Sequence, residues 1–257
     1  MRFRYIARPQ RGQLSLNRVI HEVRRLTALG GMLFAWSLAS FVMLTPGDVQ
    51  AQSDWIDVFA DNEFSHWQRL DNRGGLEAIQ KNWRVTEDGW LHLYNPAGGG
   101  SSLMLKEEIG DFELSFFWKI KQNANNGVKF RVRKYGNRTL GIEYQLLDDD
   151  VKNGNTAPKH RTGSIYDLFV PSEDKPLNPP GSLNHSRIRV RNNQVEHWLN
   201  GVEVASVDIG SDRWKEAVSK SKFAPHEGFG ENETGRIMFT DHGGEIWFRD
   251  VLMRTFD

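Results

Sequence analysis

Residues 127–133 read GVKFRVR, and the alternation is strict. Val128, Phe130 and Val132 fall on one side of an extended chain, and Lys129, Arg131 and Arg133 on the other. A helix cannot segregate that pattern; a strand can, packing one face on a core and leaving the other to water. The same period recurs. Phe112, Leu114, Phe116 and Trp118 share a face within residues 111–120, and Ile142, Tyr144 and Leu146 share one within 139–147, with Glu143, Gln145 and Leu147 opposite. Further strands are expected over 186–190, 194–199 and 202–207, the last two joined by the hairpin signal Asn200-Gly201. A WRV–TEDG–WLHL hairpin is expected over 82–93, and a closing pair around GRIMFTDHGGEIWFRD, 235–250. Residues 212–223 alone read as a helix, with Asp212 as N-cap and Trp214, Ala217 and Val218 as its apolar stripe. Residues 148–185 hold several prolines and little periodicity, and read as a long irregular excursion with one short element near 163–170. Ten to twelve strands and one short helix predict an all-β fold, two antiparallel sheets stacked as a β-sandwich.

Residues 1–51 have a different character. They carry seven arginines, an apolar run from Leu26 to Leu44, then Pro46 and the triplet Val49-Gln50-Ala51. That is the order of an export signal peptide ending in a small-residue cleavage site. The alternative is an uncleaved anchor, since a span takes about 20 residues; membrane contact is expected only through that segment. Either way residues 52–257 are expected outside the cytoplasm, secreted or periplasmic, as one domain. Taking seven arginines from 33 basic residues and two acids from 33 acidic ones leaves 26 and 31, a net charge of −5. Such a balance offers no basic nucleic-acid face. With no cysteine, the domain must be held by its core rather than by disulfides.

Four features could carry chemistry. If the hairpin over 127–147 turns near Asn137, residues whose numbers sum to 274 oppose each other, setting Arg131 against Glu143 and Lys129 against Gln145 on the polar face. The plain alternative is a solvated strand face with ion pairs worth about 0.2–1 kcal/mol. Asp148-Asp149-Asp150 could offer oxygen ligands to a hard divalent cation, or be a solvated loop. Asp241-His242 could be a proton shuttle, or an aspartate capping its own turn. Tyr166 could stack on a ligand or pin its loop, and His197, flanked by Val195 and Leu199, reads as a core histidine. HExxH, paired Cys/His spacing, a G-x-S-x-G elbow, a P-loop and a dinucleotide fingerprint are all absent.

Taken in order, DFELSFFWKI, NNGVKFRVR, IEYQLLDD, GSIYDLFVP, VEHWLNGVEV, SKF and GRIMFTDHGGEIWFRDV resemble the 3-keto-disaccharide hydrolase domain family over about residues 54–257. The resemblance implies a concanavalin A-like jelly roll and a carbohydrate substrate oxidised at C3. It carries Arg131, Glu143, Gln145, Asp148, Tyr166, Asp241 and His242 onto family positions. Together with the shared polar face, it points to Glu143 or His242 as base and Arg131, with Gln145, at the C3 oxygen, and to Lys129, Tyr166 and Asp241 as substrate contacts. A divalent metal would be held partly by Glu143 or Asp148. The chain departs from the family at Asn126, Thr240 and Leu183, where serine, glutamine and tryptophan are usual. Two other readings compete: a non-catalytic carbohydrate-binding module and an ordinary sandwich-fold glycosidase.

Overall fold

The computed structural model describes residues 55–60, 64–98, 100–150 and 156–256; the export segment expected over 1–51 lies outside them. Thirteen strands among the described residues form two antiparallel sheets. The larger contains β1 (Ile56–Asp57), β3 (Trp83–Val85), β4 (Leu91–Leu93), β6 (Phe112–Ile120), β9 (Asn184–Arg191), β10 (Gln194–Leu199), β11 (Val202–Asp208) and β13 (Ile246–Thr255). Its order is β11-β10-β9-β6-β13-β4-β3, with β1 also paired to β13. The smaller contains β2 (Trp67–Arg69), β5 (Leu103–Leu105), β7 (Asn125–Tyr135), β8 (Arg138–Leu147) and β12 (Arg236–Asp241), in the order β2-β5-β12-β7-β8.

The period-2 faces meet between these sheets. Phe116 and Phe248 from the larger and Phe239 from the smaller pack edge to face, Phe239 and Phe248 with centroids 4.9 Å apart. Asn200 and Gly201 both take positive φ, as a two-residue hairpin turn requires.

The helical content differs from expectation. A short helix, α1 (Gly75–Gln80), precedes β3, and α2 spans Asp212–Ser219. Ser211, not Asp212, is the N-cap of α2, its Oγ accepting from the Trp214 amide at 3.2 Å. The helix stops short of Phe223 because later amides are drawn elsewhere: Lys222 N donates to Asp167 Oδ2 and Phe223 N to Ser221 Oγ.

His197 is fully buried beside Tyr144, with Nδ1 3.1 Å from the Gly163 carbonyl. Burial outweighs its contacts with the Gly163 and Ser164 backbone and holds the imidazole at about 4. The unfolded chain therefore binds more protons than the folded one between the ordinary 6.5 and about 4, so stability falls as pH drops through that window. The loss is on the order of 3 kcal/mol by the usual conversion. Chemical denaturation across pH should show it, and His197→Gln should flatten the slope.

One irregularity decides which residues reach the site. The β7–β8 hairpin closes on Tyr135↔Arg138, a two-residue turn at Gly136-Asn137, so opposed numbers start by summing to 273 rather than 274. A bulge between Phe130 and Arg133 then sets Arg131 and Val132 against the single residue Gly141. A Cβ on Gly141 would lie 2.6 Å from Val132, so only glycine fits opposite the bulge. Beyond it the sum is 272: Lys129 opposes Glu143 and Gly127 opposes Gln145. The expected Arg131–Glu143 pairing is therefore incorrect. Arg131 takes φ 50° and turns to the far side, where its guanidinium donates to the Gly230 carbonyl (3.2 Å) and Asn193 Oδ1 (2.8 Å). Val132, expected in the core, joins Met104 and Met238 in a small separate apolar cluster.

Arg131→Ala should accordingly cost stability, about 2 kcal/mol for buried hydrogen-bond partners left unpaired. In the folded fraction kcat should stay near wild type, as urea denaturation and turnover on one preparation would reveal.

Candidate active site

Glu143 stands on the polar face of the smaller sheet, on its edge strand β8. Ile142 and Tyr144 bury themselves between the sheets, so Glu143 and Gln145 point away from the core. Met238, Lys129 and Glu143 lie in one row across β12, β7 and β8. The Glu143 carboxylate is almost wholly buried, and Gly127 makes room for it: a Cβ there would lie 2.3 Å from Glu143 Oε1. Lys129 Nζ lies 3.5 Å from Oε2, and His242 Nε2 lies 3.4 Å from Oε1. Oε1 nonetheless has no well-aligned hydrogen bond. Burial pushes the Glu143 carboxyl up, but Lys129 and then His242 outweigh it, and the net shift is down.

His242 reaches Glu143 because Asp241 holds the turn. Asp241 is fully buried; its Oδ2 accepts from Ala97 N (2.9 Å) and from the Ser101 hydroxyl, and its Oδ1 from Gly243 N (3.2 Å). Its own amide donates to Ser102 Oγ. Gly244 takes φ 87°, and a Cβ there would lie 2.4 Å from the Ala124 α-carbon, so the reversal requires glycine. The acid of the pair is thus the turn-former and the imidazole, 39 % exposed, the group left accessible beside Glu143. The hydrogen bonds of the Asp241 carboxylate go to Ala97, Ser101 and Gly243, not to Glu143.

Gln145 lies on the same face but donates to Asn125 Oδ1 at 2.9 Å. Tyr166 arrives from the irregular excursion: its amide donates to the Glu143 carbonyl at 3.0 Å, and its half-buried phenol is pushed up first by burial and then by the Glu143 charge. Four residues not expected from sequence complete this wall. His160 stacks on the Tyr166 ring at 4.7 Å, and Lys222 Nζ sits 4.1 Å from the centroid of the same ring. Asp167, at φ 62°, ties them together through Lys159 Nζ (2.7 Å), His160 Nε2 (2.9 Å) and the Lys222 amide (2.8 Å). Burial raises its carboxyl, but these partners prevail and hold it at about 2. No periodic signal marks residues 159, 160, 167 and 222.

The acidic run does not fit a divalent cation. Asp148 accepts from Asn123 N (2.8 Å) and Asp150 N (3.2 Å), and Asp149 from Thr162 N (2.8 Å) with Lys175 Nζ at 2.6 Å. Glu143 is ringed by cationic groups, and no three acidic or histidine side chains converge among the described residues.

The model of the 3-keto-alpha-glucoside-1,2-lyase-like domain family matches residues 54–254. The chain belongs to this family. The 3-keto-alpha-glucoside-1,2-lyase-like match spans both sheets and the whole cluster around Glu143. A 3-keto-disaccharide hydrolase of Bacteroides thetaiotaomicron is 26 % identical, with 79 % of each chain covered. Two crystal structures of candidate glycosyl hydrolases from Parabacteroides distasonis share the fold. One is 29 % identical at TM-score 0.69, over 80 % of this chain and 95 % of the other. The second is 28 % identical at TM-score 0.56, over 74 % and 99 %.

Proposed function

We propose that this domain cleaves 3-keto-glycosides by removing the C2 proton and expelling the C1 substituent. One observation carries the reading: a buried carboxylate with an unsatisfied oxygen, held ionised between a lysine and a histidine at an open sheet face. A ketone at C3 acidifies the C2 proton, so a carboxylate can act as base where an ordinary glycoside would resist it. Glu143 takes that proton, and the C–H electrons form an enolate over C2 and C3. The enolate collapses: C3=O re-forms, C1=C2 forms, and the C1–O bond breaks. His242, as imidazolium, protonates the leaving oxygen. Glu143 then returns its proton to His242 across their 3.4 Å contact. Water adding across C1=C2, hydroxyl at C1 and hydrogen at C2, completes net hydrolysis.

The family match and the name of the Bacteroides relative support the substrate class. The order of basic, apolar and small residues over 1–51 supports an exported protein. Incubating the purified protein with a 3-keto-disaccharide and, in parallel, its unoxidised parent tests the reading. Release of both halves from the keto sugar alone is expected. Cleavage of the parent would indicate an ordinary glycosidase, and binding without cleavage a carbohydrate-binding module.

A further inference from the structure

The reaction above makes negative charge at the C3 oxygen, and Arg131, the residue expected there, points away from the site. Two other cations, Lys129 and Lys222, act on the Glu143 carboxylate. Lys129 is already paired with Oε2. Lys222 is not: among the described residues its ammonium has neither a hydrogen bond nor an ion pair, and its close neighbours are the Tyr166 ring at 4.1 Å and the Phe223 ring at 5.2 Å. Lys222 is exposed, and an ammonium carries three donors, so one without a protein acceptor can present them to a ligand oxygen at this face.

We propose that Lys222 is a catalytic residue of this site, its ammonium donating to the C3 carbonyl oxygen and holding it as it becomes an enolate. The inference rests on the reading of Glu143 as base. Tyr166 joins the two: its ring lies 4.1 Å from the Lys222 ammonium and its amide donates to the Glu143 carbonyl at 3.0 Å. The Lys222 backbone is fixed by the hydrogen bond its amide donates to Asp167 Oδ2, so the side chain starts from a rigid point. The donor gives up no proton; it is pre-aimed at charge that develops only in the transition state, where a single such donor is worth about 10²–10³ in kcat. Burial pushes the ammonium down and Glu143 partly restores it, as fits a cation beside the base.

The test compares Lys222→Met, Lys222→Arg and Glu143→Gln with wild type on a 3-keto-disaccharide, together with thermal unfolding. Lys222→Met is expected to lose about 10²-fold or more in kcat with little change in KM. It should also lose exchange of the C2 hydrogen with solvent, and Lys222→Arg should recover part of both. If Lys222→Met does not fold, Lys222→Gln is read in the same way. A Lys222→Met enzyme within a few-fold of wild type beside an inactive Glu143→Gln would overturn the proposal and leave Lys222 as a pin for Tyr166. Full activity in Glu143→Gln would instead bring down the underlying reading.

Discussion

Replacing Glu143 by glutamine is expected to lower kcat on a 3-keto-glycoside by about 10³-fold, the range for loss of a general base. Glutamine keeps the shape of the side chain and can still occupy the space above Gly127. It cannot accept the C2 proton. KM should stay within a few-fold, because the bound ground state loses little. The ion pair with Lys129 goes too, but the carboxylate also sheds its burial cost. The net stability change should be about 1 kcal/mol, which is about 2–4 °C in Tm for a domain of this size. A loss of activity with an intact melting transition separates the catalytic role from a structural one. The wild-type pH profile gives a second handle. The Glu143 carboxyl lies below its ordinary 4.5, so the acid limb of kcat/KM should fall below that pH.

Gly127→Ala is the second large effect. Gly127 has an ordinary extended conformation, so alanine fits the backbone of β7 without strain. The difficulty is the methyl group, 2.3 Å from Glu143 Oε1 and 3.0 Å from its Cδ. Something must give, and the end of the Glu143 side chain moves more easily than the strand. A displacement of the base by about 1 Å costs on the order of 10²-fold in rate. The fold should tolerate the change, with Tm close to wild type. Steady-state kinetics beside a melting curve would measure both. Normal turnover in Gly127→Ala would mean that the carboxylate need not rest where it does.

These two residues also mark what could be read from the sequence and what could not. The alternation of 111–120, 127–133 and 139–147 fixes which residues can leave the core, and Glu143, Gln145 and Lys129 are found on the polar face as expected. The core placement of His197 and the Asn200-Gly201 hairpin also follow from local pattern. Register does not. It depends on a two-residue turn and one bulge, and neither changes composition or period enough to announce itself. A shift of one residue in the turn and one more at the bulge exchanges the partner of Glu143 from Arg131 to Lys129 and sends Arg131 to the opposite side. Asp241-His242 divides in a similar way: the pair is visible, but which member turns inward depends on the loop carrying Ala97 and Ser101, some 140 residues earlier. Lys222, His160 and Asp167 come together only through packing of segments without periodicity, where sequence offers no rule to apply.

The central claim, proton abstraction at C2 by Glu143, is most directly tested by running the cleavage in D2O and reading C2 of the released sugar by NMR at early times. A parallel sample with Glu143→Gln corrects for spontaneous exchange. The account predicts deuterium at C2 from wild type, because the bond to hydrogen is broken and re-made. Protium retained at C2 while the glycosidic bond is cleaved would contradict it.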